Sequence, residues 1–140
     1  MTDTFRHRTP IQIRFNDLDA YRHVNNNVYF SFYDLGKESY FADVLHSEFS
    51  VQRVVPIVAS ISADFIEPIF YGDEIVIETR VSHLGTKSFT LQQRAVNEKN
   101  GRVVCQAQTV MVCVNVQTQQ TSEIPEEYRA SIEAYEAIED

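Results

Sequence analysis

From residue 54 to residue 116 the chain alternates apolar and polar side chains almost without pause. Ahead of that block lies one stretch with helical spacing, so a single helix must cover a sheet of several strands. Ile57, Ala59, Ile61, Ala63 and Phe65 read as one face of a long strand, with Ser60, Ser62 and Asp64 on the other. "IVIETRVSHL" alternates at Ile75, Ile77, Thr79 and Val81, and "KSFTLQQRAVN" sets Phe89, Leu91 and Ala95 on one side. Turns separate the runs: "EPIFYGDE", the Gly85–Thr86 pair, and "NEKNG" with its Asn-Gly signal. The spacing predicts an antiparallel meander of four strands. A first strand is expected at residues 9 to 15, where Ile11, Ile13 and Phe15 alternate.

The helix is expected from Val28 to about His46. Val28, Phe32 and Leu35 form one stripe, and Tyr29, Tyr33, Gly36 and Tyr40 a neighbouring one; Phe41, Val44 and Leu45 extend the apolar arc. An arc this wide implies contact on several sides. Gly36 costs about 1 kcal/mol against alanine within a helix, which a close backbone approach would explain. A second, short helix is expected at about 125–138, with Pro125 near its first turn. The last strand is apolar on both faces in its later half: Met111 and Cys113 one way, Val110, Val112 and Val114 the other. One face should meet the long helix. The other needs a second cover, either the tail helix or another subunit, so a homodimer or homotetramer is expected.

Composition narrows the function. The chain has 140 residues, 44% of them apolar and 11% aromatic, which suits one globular domain spanning 1–140. A formal charge of −8 argues against general nucleic-acid binding, yet leaves room for a local basic patch that holds an anion. No apolar run reaches the ~18 residues that a membrane span requires, and "MTDTFRHRTP" lacks the apolar segment of a secretory signal, so a cytoplasmic protein is expected. Cys105 and Cys113 share one face of a strand but stand ~26 Å apart along it, too far for a disulfide. They have neither zinc spacing nor a neighbouring histidine, so no metal is expected.

The polar segment "RFNDLDAYRHVNNNVYF", residues 14 to 30, carries the chemistry. Two aspartates follow the first strand, and three asparagines precede the long helix. A helix N-terminus offers unpaired N–H groups and a partial positive charge, and asparagine caps it well. The asparagines serve either as caps alone or as the frame of an oxyanion hole, with a nearby carboxylate as nucleophile or general base.

"DLDAYRHVNNNVYFSFYDLGKESYF" resembles the start of the hot-dog-fold acyl-CoA thioesterases of the 4-hydroxybenzoyl-CoA thioesterase type. "ADFIEPIFYGDEIVIETRV" and "LGTKSFTLQQRAV" resemble their later strands, so the likeness spans about residues 9 to 117. The resemblance implies an α+β hot-dog fold, a curved antiparallel sheet around one central helix. It also implies hydrolysis of an acyl- or aroyl-CoA to acid and free coenzyme A, with no cofactor beyond the substrate. Position by position, it places the catalytic carboxylate on Asp19, the motif histidine on His23 and the motif asparagines on Asn25 and Asn26. The carbonyl-polarising N–H falls near Asn26. Tyr29 and Phe32 are candidates to line an acyl pocket. Lys87 and Ser88 in "HLGTKSF", together with Arg53, are candidates for the coenzyme A phosphates; Arg80, Arg94 and Arg102 are further cations. Where many relatives carry a small residue or glycine after the Asp-Ala pair, this chain has Tyr21 and Arg22. The competing functions are a non-catalytic acyl-thioester binding protein and a hot-dog dehydratase or hydratase.

Overall fold

The computed structural model describes residues 4–46 and 53–137. Strand β1 (His7–Ile11) leads through a 3-10 turn (Phe15–Asp17) into helix α1 (Asn26–Tyr40), which widens into a π-helical turn (Phe41–Leu45). Four strands follow, β2 (Val54–Phe65), β3 (Ile75–Leu84), β4 (Ser88–Asn97) and β5 (Arg102–Asn115), then helix α2 (Glu126–Glu136). They form one antiparallel sheet in the order β1-β3-β4-β5-β2, so β1 and β2 are its edges. Only β3, β4 and β5 run as a meander, and the expected four-strand meander fails because β2 crosses over to pair with β5 while β1 takes the place beside β3. This is the hot-dog arrangement: α1 packs against the inner face across β1 and β3.

Two apolar clusters fill the space between helices and sheet. Under the first half of α1, Tyr29, Phe32 and Tyr33 meet Ile69, Ile75, Ile77, Cys105 and Ala107. Under its end, Tyr40, Phe41, Val44 and Leu45 meet Phe89, Leu91, Met111 and Cys113, closed off by Ile124, Tyr128 and Ile132. Gly36 lies where helix and sheet come closest: a Cβ there would stand 2.6 Å from Ile77 Cγ2 and 3.0 Å from Gln93 Nε2. The close approach expected from sequence is therefore present. Gln93 uses it, donating at 3.0 Å to the Tyr33 carbonyl and at 3.0 Å to Thr79 Oγ1, which ties α1 to the sheet at two turns' depth.

Four further expectations need correction. The first strand runs from His7 to Ile11 rather than 9 to 15, because Asp17 captures the Arg14 N–H and turns the chain away, leaving Phe15 exposed. Of the two helical stripes, the one through Tyr29, Tyr33, Gly36 and Tyr40 is buried, whereas Leu35 is exposed. In β2 the register slips between Val58 and Ser60. The bulge sends Val58, Ile61, Ala63 and Phe65 inward opposite Met111, Thr109, Ala107 and Cys105, and Ile57 outward with Ser60, Ser62 and Asp64. Finally, the tail helix covers the inner face of β5 at Met111 and Cys113 and leaves Val110, Val112 and Val114 half-buried on the outside. That helix begins with Pro125 as its N-cap; of the expected range, residue 138 lies outside the described residues.

Candidate active site

Residues 18 to 24 fold into a tight hairpin closed by a bridge between Leu18 and Val24. The Asp19 N–H donates to the His23 carbonyl at 3.0 Å, and the Arg22 N–H donates to the Asp19 carbonyl at 3.0 Å. The turn demands a left-handed residue, and Arg22 takes it at φ 67°. Asp19 stabilises its own turn: Oδ1 accepts the Tyr21 N–H at 2.9 Å. The other oxygen, Oδ2, is left facing His23 Nδ1 at 3.4 Å across the hairpin. Both side chains keep partial access to solvent. The His23 ring stacks on Tyr21, with centroids 5.9 Å apart and planes 15° apart, and meets the edge of Phe70. Main-chain contacts dock the hairpin on the segment before β3, through the Val24 N–H on the Ile69 carbonyl at 2.7 Å and a bridge between His23 and Phe70.

Asp17 has a different job. Its carboxylate is 2% exposed and accepts the Arg14 N–H at 2.8 Å, with the Arg14 guanidinium at 3.2 Å. Its carbonyl accepts the Asn25 N–H at 2.9 Å, so the start of α1 is fastened to the residue two before Asp19. Asn25 is the N-cap, its Oδ1 accepting from the Asn27 N–H at 3.1 Å. Its carbonyl accepts the Val28 N–H. Between these bonds the Asn26 N–H, at the first helical position, has no acceptor among the described residues. The helix start therefore presents one open donor at its positive end, beside a hairpin whose carboxylate has one committed and one outward oxygen.

Tyr29, one turn further on, is buried against Phe65 with centroids 5.1 Å apart, and burial pushes its hydroxyl pKa up to about 12. Its hydroxyl therefore stays protonated and uncharged at neutral pH. Burial also raises the thiols of Cys105 and Cys113, which makes neither a ready nucleophile. Among the described residues no group of three or more His, Cys, Asp or Glu converges as metal ligands would.

Asp19 and His23 thus face each other, and Asn25 and Asn26 open the helix that the Asn25–Asp17 bond fastens to the same loop. Lys87, Ser88 and Arg53 do not join them within one chain. The hairpin with Lys87 and Ser88 sits at the far end of β3, ten residues or roughly 33 Å from the Ile75 end that lies near the Asp19 hairpin. They do gather with one another: the Lys87 carbonyl accepts from Cys113 N–H and the Arg53 carbonyl from Val116 N–H, at the same end of β5. Arg129 of α2 joins them by donating to the Gly85 carbonyl, a cation that the sequence reading did not single out. Phe70 was also missed. The sequence signal for it was an unusual one, adjacent aromatics at Phe70 and Tyr71 inside a turn segment.

A family model described as the thioesterase-like superfamily matches residues 13–132. The long-chain acyl-CoA thioesterase FadM of Escherichia coli is 29% identical over 131 residues, covering 90% of this chain and 96% of that protein. The 1,4-dihydroxy-2-naphthoyl-CoA hydrolase of Synechococcus elongatus is 33% identical over 123 residues, covering 81% and 85%. A Thermus thermophilus thioesterase, solved with coenzyme A and zinc, superposes with a TM-score of 0.86 at 28% identity, covering 99% of this chain and all of that one. The match spans the Asp19 hairpin, the central helix and strands β2 to β5, and by it the chain belongs to the thioesterase-like superfamily as a thioester hydrolase of the hot-dog fold.

Proposed function

We propose that the protein hydrolyses acyl-CoA thioesters, with Asp19 as the attacking or water-activating carboxylate and the Asn26 N–H as the oxyanion donor. The observation that carries this reading is the linked geometry. The outward Asp19 oxygen faces His23, and the Asn25–Asp17 bond fastens the open Asn26 N–H to the same loop. The thioester carbonyl oxygen takes the Asn26 N–H, and the helix dipole favours the negative charge that develops there. Asp19 then attacks the carbonyl carbon or takes a proton from a water that does. His23 orients the carboxylate, and Asn25 holds the helix start in place as its cap. The C–S bond breaks, water supplies the hydroxyl of the free acid either directly or by hydrolysing the acyl-Asp19 anhydride, and its proton goes to the departing sulfur, so coenzyme A leaves as the thiol. The named activities of the two curated relatives support this substrate class. Release of free thiol from acyl-CoAs, followed with a thiol reagent, tests it: turnover of at least one acyl-CoA is expected. Binding of every one tested without thiol release would overturn the reading in favour of a binding protein.

The assembly reading follows from the edge. β2 is a long edge strand with Ile57, Val58, Ile61 and Phe65 exposed along it, a surface that edge strands normally conceal. Antiparallel pairing of two β2 edges about a two-fold axis interchanges their ends. It sets Arg53 and Lys87 of one protomer beside the Phe65 end of its partner, where Tyr29 and the Asp19 hairpin lie. A homodimer of this kind brings the candidate phosphate cations to the site. Sedimentation is expected to give a dimer or a multiple of it; a monomer active at its working concentration would sink the arrangement.

A further inference from the structure

Acting as an acyl-CoA hydrolase, as proposed above, the enzyme must put the acyl tail somewhere, and the geometry points to one route. Aromatic rings line the surface beside Asp19. Tyr21, 81% exposed, stacks on His23, whose ring meets Phe70 with centroids 6.4 Å apart. The next residue, Tyr71, is 59% exposed and meets Phe15, 75% exposed, edge to face at 6.2 Å. Exposed rings in such number, gathered on two loops around one carboxylate, mark a surface that meets an apolar ligand. The loop that presents Phe70 and Tyr71 is held ready. Asp73 Oδ2 accepts the Phe70 N–H at 2.8 Å, the Asp73 N–H returns to the Phe70 carbonyl at 3.1 Å, and Gly72 supplies φ 93°.

Tyr71 also walls a cleft of about 740 Å³, within the range of small-molecule sites. The cleft opens where the chain after β1 parts from β3. Pro10, Ile13 and Val76 form its apolar sides, and the Arg8–Glu98 ion pair stands at the end remote from Tyr71. Strip and cleft are continuous through Tyr71. They are long, open to the surface and apolar, with a charged stop. A flexible chain fits that shape, whereas a compact ring next to the thioester would leave the cleft empty. We propose that the acyl tail crosses Phe70 and Tyr71 and lies in the cleft between residues 10–13 and 71–76, making elongated aliphatic acyl groups the preferred substrates.

Two variants at exposed positions test the route without touching the Asp19 hairpin: Tyr71→Ala removes a wall, and Gln12→Trp fills the cleft. For the native enzyme, kcat/KM is expected to rise from acetyl- through octanoyl- to palmitoyl-CoA and to exceed that for benzoyl-CoA. Each variant is expected to lose about tenfold or more on the long chains, the scale of one or two methylene contacts, with acetyl-CoA turnover held within about twofold. Equal losses at all lengths, no loss at all, or a native preference for benzoyl-CoA would overturn the route. Binding of free decanoate, read by calorimetry, separates this from the hydrolase reading. Decanoate binding that Gln12→Trp weakens supports the cleft even if no thioester is cleaved. Decanoate binding indifferent to Gln12→Trp refutes the cleft even if hydrolysis is robust.

Discussion

Replacing Asp19 by asparagine is expected to lower kcat by on the order of a hundredfold or more, with the unfolding temperature unchanged. The two halves of this expectation rest on different oxygens. Asparagine keeps an acceptor for the Tyr21 N–H, so the bond at 2.9 Å that closes the turn survives. What asparagine cannot keep is the anionic oxygen directed at His23, which is needed to attack or to take a proton. The Asp19–His23 contact at 3.4 Å is partly exposed, and such pairs contribute little to folding. Thiol-release kinetics and thermal melts on the same samples read both halves. Undiminished kcat would remove Asp19 from the chemistry. A fall in kcat accompanied by a large fall in melting temperature would mean the carboxylate is a turn-former whose loss merely unmakes the hairpin. A His23→Ala variant is informative beside it. If the histidine orients the carboxylate, its loss moves kcat more than KM and leaves some turnover.

The sequence carried the large features because each repeats many times. Five alternating runs and one helical stretch leave few ways to bury their apolar faces, and short turns place β3, β4 and β5 side by side, but the crossing of β2 to the far edge beside β5 leaves no mark in the spacing. What escaped was always a single event. The β2 bulge shifts the phase at a place where Ile57 and Val58 are both apolar, so the pattern continues in either phase and gives no sign of a slip. The end of β1 depends on a buried carboxylate that captures one backbone N–H, whereas Ile13 and Phe15 continue the alternation regardless. Leu35 fits a helical stripe by spacing, but burial depends on which side the sheet takes, and the sheet sits under Tyr33 and Gly36. In the candidate site, Asp19, His23, Asn25 and Asn26 were legible because they are neighbours in sequence. Phe70 and Tyr71 come from a distant segment, and only the fold shows that Phe70 packs on His23 and Tyr71 on Phe15. Lys87, Ser88 and Arg53 stand out in the sequence as candidate phosphate partners, but their distance from Asp19 does not, because it is set by the length of β3.

Asp17 offers the opposite experiment. Asp17→Ala is expected to destabilise the protein by about 2 kcal/mol, since a buried charge-assisted hydrogen bond to the Arg14 N–H is lost and that donor is left without an acceptor. The accompanying guanidinium contact at 3.2 Å adds little, because the Arg14 side chain is mostly in solvent. At this chain length the loss corresponds to a fall of several degrees in melting temperature. Activity should fall too, for a mechanical reason. The Asp17 carbonyl holds the Asn25 N–H, so loosening residues 14 to 17 shifts the helix start and the Asn26 donor relative to Asp19. The conservative variant separates structure from chemistry. Asp17→Asn retains an acceptor for Arg14 N–H and should keep kcat within a few fold of native, in contrast to the same substitution two residues later. If Asp17→Asn abolished turnover at an unchanged melting temperature while Asp19→Asn did not, the roles given to the two aspartates would have to be exchanged. A carboxylate with both oxygens already engaged in the buried loop would then have to be freed before it reacts. That requirement would itself be visible, because the Arg14 amide, protected from hydrogen exchange by its bond to Asp17, would exchange faster whenever substrate is bound.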